Sequence, residues 1–233
     1  MNRYSQTMTI KNIIKYILWR MGYRATMPAI FVNRVPIRDN GEDLVDIKQN
    51  HKLFFAPSLA EKEHVFLRQG VYQKLQKAME NLPEGLTFKI YSAYRSMDDQ
   101  KALWNNTFNK VKAEFPYLMP ADLENKVRAI CADPRHGFGG HQTGGAVDIT
   151  LCDLDGNDID MGGGHLDTKG NTATFTQGLT EEQQQNRRLL YHLMRNAGFQ
   201  NYPNEWWHYC YGDRMWAAYQ CKKYAIYGLV EKD

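Results

Sequence analysis

The sequence is short of most features that sort a protein at first sight. Its four cysteines, Cys131, Cys152, Cys210 and Cys221, form no C-x-x-C pair, so a thiolate zinc knuckle is not expected. Four cysteines in 233 residues make no disulfide framework either, and buried free thiols are the expectation. No run approaches the ~20 apolar residues that cross a bilayer. The segment from Ile10 to Met21 is interrupted by Lys11, Lys15 and Arg20. It lacks the unbroken centre of a secretory signal and reads as an amphipathic helix. A cytoplasmic protein is the resulting expectation, with export left open. There is no Lys/Arg-rich run, and the formal charge is only +3, which argues against a nucleic-acid partner. No internal repeat or low-complexity segment is visible, and nothing bears on oligomeric state.

What is present is an ordinary globular composition, 43% hydrophobic and 24% charged, in a chain long enough to bury a real core. Residues 1–52 lack strong periodicity and are taken as an N-terminal arm packed on a main domain, residues 53–233. Ser58 with Glu61 has the form of a capping box. Leu67, Val71, Leu75, Ala78 and Leu82 continue at helical spacing, so a helix is predicted from Ser58 to the stop at Pro83 and Gly85. Residues 86–94 alternate like a strand. Ser96 with Asp99 opens a second helix with Trp104, Phe108, Val111 and Phe115 as its buried stripe. A short helix follows over about 121–132, then an irregular glycine-rich stretch, 134–145, and a strand, 146–151. After a long polar loop, Thr180 with Gln183 caps a third helix that Gly198 closes. Residues 205–211 read as a turn into an aromatic strand. Helices and strands mix without regular alternation, which predicts a single α+β domain with a mainly antiparallel sheet flanked by helices.

Two clusters carry chemistry. One is Gly140-His141-Gln142-Thr143-Gly144-Gly145-Ala146-Val147-Asp148, and the other is Glu205-Trp206-Trp207-His208. Two His and one Asp make a nitrogen–carboxylate set of the kind that holds hydrolytic zinc and leaves one position for water. The glycines allow the loop to bring His141 back beside Asp148. Glu205 adds a carboxylate that need not bind metal and can take a proton from an activated water. A regular strand would point Glu205 and His208 to opposite faces, so a turn or bulge is expected between them. A lone His in a glycine loop, or a lone E-x-x-H, is usually without metal; the two together are the signal. His136 and His165 lack a carboxylate at comparable spacing and are expected to be solvated or to support the ligands. His51, His64 and His192 read as surface or packing residues.

G-H-x-x-G-x-A-x-D followed by E-W-W-H resembles the zinc D-alanyl-D-alanine dipeptidases of the VanX type, within the zinc D,D-peptidases. Tyr91-Ser92-Ala93-Tyr94-Arg95-Ser96 is similar to the family's strand-end arginine motif. Asp160-Met161-Gly162, with Asp167 five residues on, resembles its M-G loop, and Asn186-Arg187-Arg188-Leu189-Leu190 its late helix. The resemblance covers about residues 53–211. It implies zinc bound by His141, Asp148 and His208, with Glu205 as catalytic base. It makes Arg95 the group that steadies the polarised carbonyl and its oxyanion, and Asp167 the partner of the substrate's free amine. The implied reaction is hydrolysis of D-Ala-D-Ala or a related short D-amino-acid-containing dipeptide. A zinc D,D-carboxypeptidase acting on cell-wall stem peptides, and a non-catalytic zinc-binding module of the same fold, are the alternatives. Two positions depart from the family. Gly139 replaces a serine associated with binding the substrate carboxylate, and Ser92 replaces an acidic residue three before the arginine. Both bear on substrate preference rather than on hydrolysis.

Overall fold

The computed structural model describes residues 8–22, 25–168 and 170–231. Two N-terminal helices, α1 (Ile10–Arg20) and α2 (Ala29–Asn33), lead to strands β1 (Leu44–Asp46) and β2 (Leu53–Phe55). The short helix α3 (Pro57–Ala60) is followed by β3 (Phe66–Arg68), α4 (Gln69–Met79), β4 (Leu86–Ser92), α5 (Met97–Glu114) and α6 (Pro120–Arg128). Two 3-10 turns, Pro134–His136 and His141–Thr143, precede β5 (Ala146–Asp153). A long loop then reaches α7 (Glu181–Asn196), β6 (Gln200–Asn201), β7 (His208–Cys210) and α8 (Arg214–Tyr219).

The main sheet has the order β2-β4-β5-β7-β6, and β1 pairs with β3 in a separate antiparallel ribbon. Within the main sheet only β2 and β4 run parallel. The expected α+β architecture with a mainly antiparallel sheet is thus borne out. β5 is the central strand, and Ala146 to Cys152 are buried without interruption. The strand is covered on both faces, so its burial does not alternate although its residues do. Val147, Ile149 and Leu151 pack into the main core with Leu75 of α4 and Leu190 and Met194 of α7. By the period of two, Ala146, Asp148 and Thr150 point to the other face. A second apolar cluster, built on Trp104, Val111, Leu123 and Val127, joins α5 to α6.

Several local expectations hold. Ser96 caps α5, and Thr180 and Gln183 form a complete capping box on α7. Gly198 leaves α7 with φ +99°. The helix predicted from Ser58 is corrected, because the stretch is two helices separated by a strand. Ser58 lies inside α3, which begins after Ala56 with no side-chain cap, and Glu61 ends it. Phe66–Arg68 pairs with β1, so Leu67 enters the core from a strand while Val71, Leu75 and Ala78 form the buried face of α4. Long-range pairing with β1 overrides the helical spacing that Leu67 shares with Val71. α6 also stops at Arg128, short of Ala132. All four cysteines are free thiols, but Cys221 is exposed where burial was expected. Within residues 1–52, β1 pairs with β3 and Ile47 is buried in the main core. Among the described residues no helix is long and apolar enough to cross a membrane.

Candidate metal centre

Three neighbouring strands place the centre. Asp148 of β5 lies opposite Ser92 of β4 on one side and His208 of β7 on the other. His141 arrives from the 3-10 turn just before β5. Gly144 closes that turn at φ +68°, a left-handed angle that favours glycine, and an added Cβ there would strike Leu44. Gly140 is confined by approach rather than by angle, since a Cβ would come within 2.5 Å of Asp213 Oδ2.

His141 Nδ1 sits 2.8 Å from the carbonyl oxygen of Ala93. A carbonyl can only accept, so Nδ1 carries the proton and Nε2 keeps its lone pair. Nε2 in turn lies 3.3 Å from Asp148 Oδ2, and His208 Nδ1 lies 2.9 Å from Asp148 Oδ1. One ligand atom from each of His141, Asp148 and His208 falls within 4.8 Å of the others, and all three residues are buried. Two nitrogens and one carboxylate oxygen fit a catalytic zinc site with a position left open. The His141–Ala93 bond is the kind of contact that fixes the tautomer of a metal-binding histidine.

Burial alone would raise the Asp148 carboxyl, but the surrounding His141, His165 and His208 outweigh it and hold the group well below the usual carboxylate range. Burial pushes His141 down. For His208 burial is outweighed by Asp148, and the imidazole is raised. Glu205 Oε2 lies 3.8 Å from His208 Nδ1, and burial pushes its carboxyl up to about 7. A divalent cation beside it would draw that value back down.

The expected turn between Glu205 and His208 is present, with the His208 amide donating to the Glu205 carbonyl at 3.2 Å. Asn201 pins this turn, its Nδ2 donating to the carbonyls of both Glu205 and His208 at 3.1 Å. Arg95 follows the end of β4, and its guanidinium donates to Gln100 Oε1 at 2.8 Å and Ser92 Oγ at 2.7 Å. Arg95, His141, Asp148, Glu205 and His208 line one cavity of about 670 Å³, together with Tyr202 and part of the α5–α6 unit. A larger hollow of about 1030 Å³, bordered by α4 and the turn before β4, holds none of these groups.

Five of the six residues singled out in the sequence therefore meet in one cavity. Asp167 is half-buried on the long loop, next to Leu166, which does line the cavity. That loop is tied down by Arg187 of α7. Its guanidinium is buried and donates to the carbonyls of Met161, Asn171 and Ala173. His165 lies 3.4 Å from Asp148 Oδ2, stacked on Tyr91 and edge-on to Trp207, which matches a supporting role beside the ligands. His136 is exposed and pairs with Asp133, and His51, His64 and His192 are exposed. Trp206 and Trp207 are buried core residues. Sequence reasoning missed Gln100, Gln142, Asn201 and Tyr202. Amides inside helices or loops carry no spacing signal, and only the fold shows that Gln100 touches Arg95.

A family model described as D-ala-D-ala dipeptidase, Peptidase_M15, matches residues 58–225. The chain belongs to this family. It is similar to a D-alanyl-D-alanine dipeptidase of Synechocystis sp., 29% identical over 84% of this chain and 95% of that protein. It is also similar to one of Escherichia coli, 29% identical over 54% of this chain and 55% of that protein. A solved structure of a mutant vancomycin-resistance D,D-pentapeptidase VanY, in complex with Zn(II), aligns with TM-score 0.49 at 18% identity over 80% of this chain and 90% of that one. The family's matched span takes in both clusters, from Ser58 through His208 and beyond.

Proposed function

We propose that this member of the family is a zinc-dependent dipeptidase that hydrolyses D-alanyl-D-alanine or a closely related short dipeptide containing D-amino acids. The observation that carries the reading is the meeting of His141, Asp148 and His208 within 4.8 Å in a buried site, with Glu205 and Arg95 lining the same cavity. In this reading residues 53–233 form the catalytic domain and residues 1–52 an arm packed on it.

His141, Asp148 and His208 would hold the metal. Zinc bound there would supply a Lewis acid for the scissile carbonyl and bring the pKa of water toward neutrality. Glu205 takes a proton from the attacking water as hydroxyl adds to the carbonyl carbon, and then passes that proton to the amine nitrogen as the C–N bond breaks and the carbonyl reforms. Its place in the cavity, 3.8 Å from His208 Nδ1, suits this work, because a carboxylate beside an activated water can take its proton and hand it on. Gln100 and Ser92 hold the Arg95 guanidinium in place. Donors fixed before the reaction stabilise a developing oxyanion without reorganising. Asp167 is assigned the substrate ammonium, on the strength of its place five residues after Gly162 in the M-G loop. The test is a panel of D,D-, L,D- and L,L-dipeptides with N-acetylated and longer counterparts, assayed with zinc. Free D,D-dipeptides are expected to be cleaved fastest, and N-acetyl-D-Ala-D-Ala poorly. Rapid release of terminal D-Ala from acylated or longer peptides would replace this reading with a carboxypeptidase. Zinc binding with no cleavage of any peptide would replace it with a binding module.

A further inference from the structure

Helix α1 is amphipathic, as its sequence predicts, but it is mounted with its apolar side outward. Asn12, Tyr16 and Trp19 face the body of the protein and are half-buried. Tyr16 stacks on Phe31 at 4.3 Å between ring centroids, and Trp19 meets the edge of Tyr219 of α8 at 5.5 Å. Ile10, Ile13, Ile14, Ile17, Leu18 and Met21 occupy the opposite side at spacings of three and four, and every one is exposed, from 37% for Leu18 to 77% for Ile10. An unbroken stripe of large aliphatic side chains in water marks an interaction surface.

Charge indicates what covers it. Residues 1–38 contain seven Lys and Arg and no Asp or Glu. The whole chain is only +3, so the remainder is net acidic and the positive charge of the sequence is concentrated in the N-terminal segment that carries this helix. On the helical wheel Lys11 and Lys15 flank the stripe on one edge and Arg20 on the other. Basic residues on both edges of an aliphatic face, in a segment without Asp or Glu, are complementary to an interface that is apolar inside and negative at its rim, which describes an anionic lipid bilayer. The 11 residues of α1 extend only about 16 Å, roughly half a hydrocarbon core, so the helix would lie in the plane of the membrane rather than span it. A symmetric pairing of two such helices would instead bring like charges together along both edges.

We propose that α1 seats this protein peripherally on anionic membranes. The proposal stands independently of the reaction at the metal centre. It is tested with the full chain by co-sedimentation with vesicles of phosphatidylcholine alone or mixed with phosphatidylglycerol, at low and high salt. Binding is expected only to the mixed vesicles and to weaken with salt. Ile13→Glu with Ile17→Glu should lower binding at least tenfold while circular dichroism and dipeptide turnover in solution stay unchanged. Lys11→Gln with Lys15→Gln keeps the apolar stripe intact and should weaken binding about fivefold per lysine. The proposal is overturned if the parent protein ignores the mixed vesicles, or if neither pair of substitutions alters its binding. It is equally overturned if sedimentation velocity shows a dimer that the isoleucine variant dissolves while vesicles bind neither form.

Discussion

His208 and Asp148 face each other across β7 and β5, paired in register, with Nδ1 2.9 Å from Oδ1. The sheet itself therefore sets two of the three candidate ligands, and only His141 depends on a loop. This rigidity predicts a site formed before metal arrives. Zinc should stabilise the fold by about 2.7 kcal/mol at a hundred times its dissociation constant and raise the unfolding temperature accordingly, and chelation should return the protein to its metal-free stability without unfolding it. His208→Ala and His141→Ala should abolish that gain. Elemental analysis that finds full zinc in either variant would remove the residue from the ligand set.

Arg95 owes its position to Gln100, whose Oε1 accepts from the guanidinium at 2.8 Å and also from Gln142 Nε2 at 3.2 Å, while its own Nε2 donates to the Ala132 carbonyl. Gln100→Leu keeps the volume but removes the acceptor. It should leave zinc content unchanged and lower kcat roughly tenfold to a hundredfold, the scale of a catalytic group misplaced by about 1 Å. Leaving buried partners unmatched should also cost about 1–3 kcal/mol of stability. Gln100→Glu restores the oxygen acceptor and should recover much of kcat, which a merely structural role for Gln100 would not produce. A Gln100→Leu enzyme with parental kcat would show that Arg95 needs no such support.

Much of this site is legible in the chain because its elements announce themselves locally. The caps of α5 and α7, the glycines around His141 and the E-W-W-H turn are each encoded within a few residues. What depends on distant pairing is not legible in the same way. The helix predicted from Ser58 failed because β1, some twenty residues upstream of β3, recruits Phe66–Arg68 into a ribbon. Gln100 and Asn201 escaped notice because an amide's role is fixed by what folds against it. Tyr16 and Trp19 reverse the usual orientation of an amphipathic helix because Phe31 and Tyr219 provide an aromatic seat. No pattern within α1 reveals that its aliphatic stripe is left outside.

The loop that carries His141 is anchored upstream by Asp133. Its carboxylate is buried and receives Arg135 at 2.7 Å and Arg128 at 3.3 Å. The side-chain bond from Arg135, ahead of the other contacts, lowers Asp133 from 3.8 to about 2. A carboxyl depressed in the folded state adds stability above its unfolded pKa and loses it as pH falls through the folded one. Asp133→Asn should therefore cost roughly 1–2 kcal/mol at pH 7, less than the full shift implies because Arg135 is half exposed. The gap between parent and variant should close between about pH 4 and pH 2. Denaturant midpoints measured across that range check it, and a gap that persists at pH 2 would show that the contribution is not ionic.

Glu205 separates a metal ligand from a base. Its carboxylate is 3.8 Å from His208 Nδ1, near enough to share the site, yet it lies outside the group of atoms that converge within 4.8 Å. The turn that presents it is held by Asn201 and by the amide of His208, so a substitution at the carboxylate leaves the backbone support intact. Glu205→Gln preserves shape and hydrogen bonding but cannot accept a proton at neutral pH. Loss of a general base typically costs about a hundredfold to ten-thousandfold in rate. The variant should bind zinc in full, bind dipeptide with little change by calorimetry, and lose turnover on that scale. Losing zinc would make Glu205 a ligand and redraw the metal set. Retaining zinc and turnover together would place the base elsewhere in the cavity, with Tyr202 the next polar group to examine because it shares that lining with Glu205.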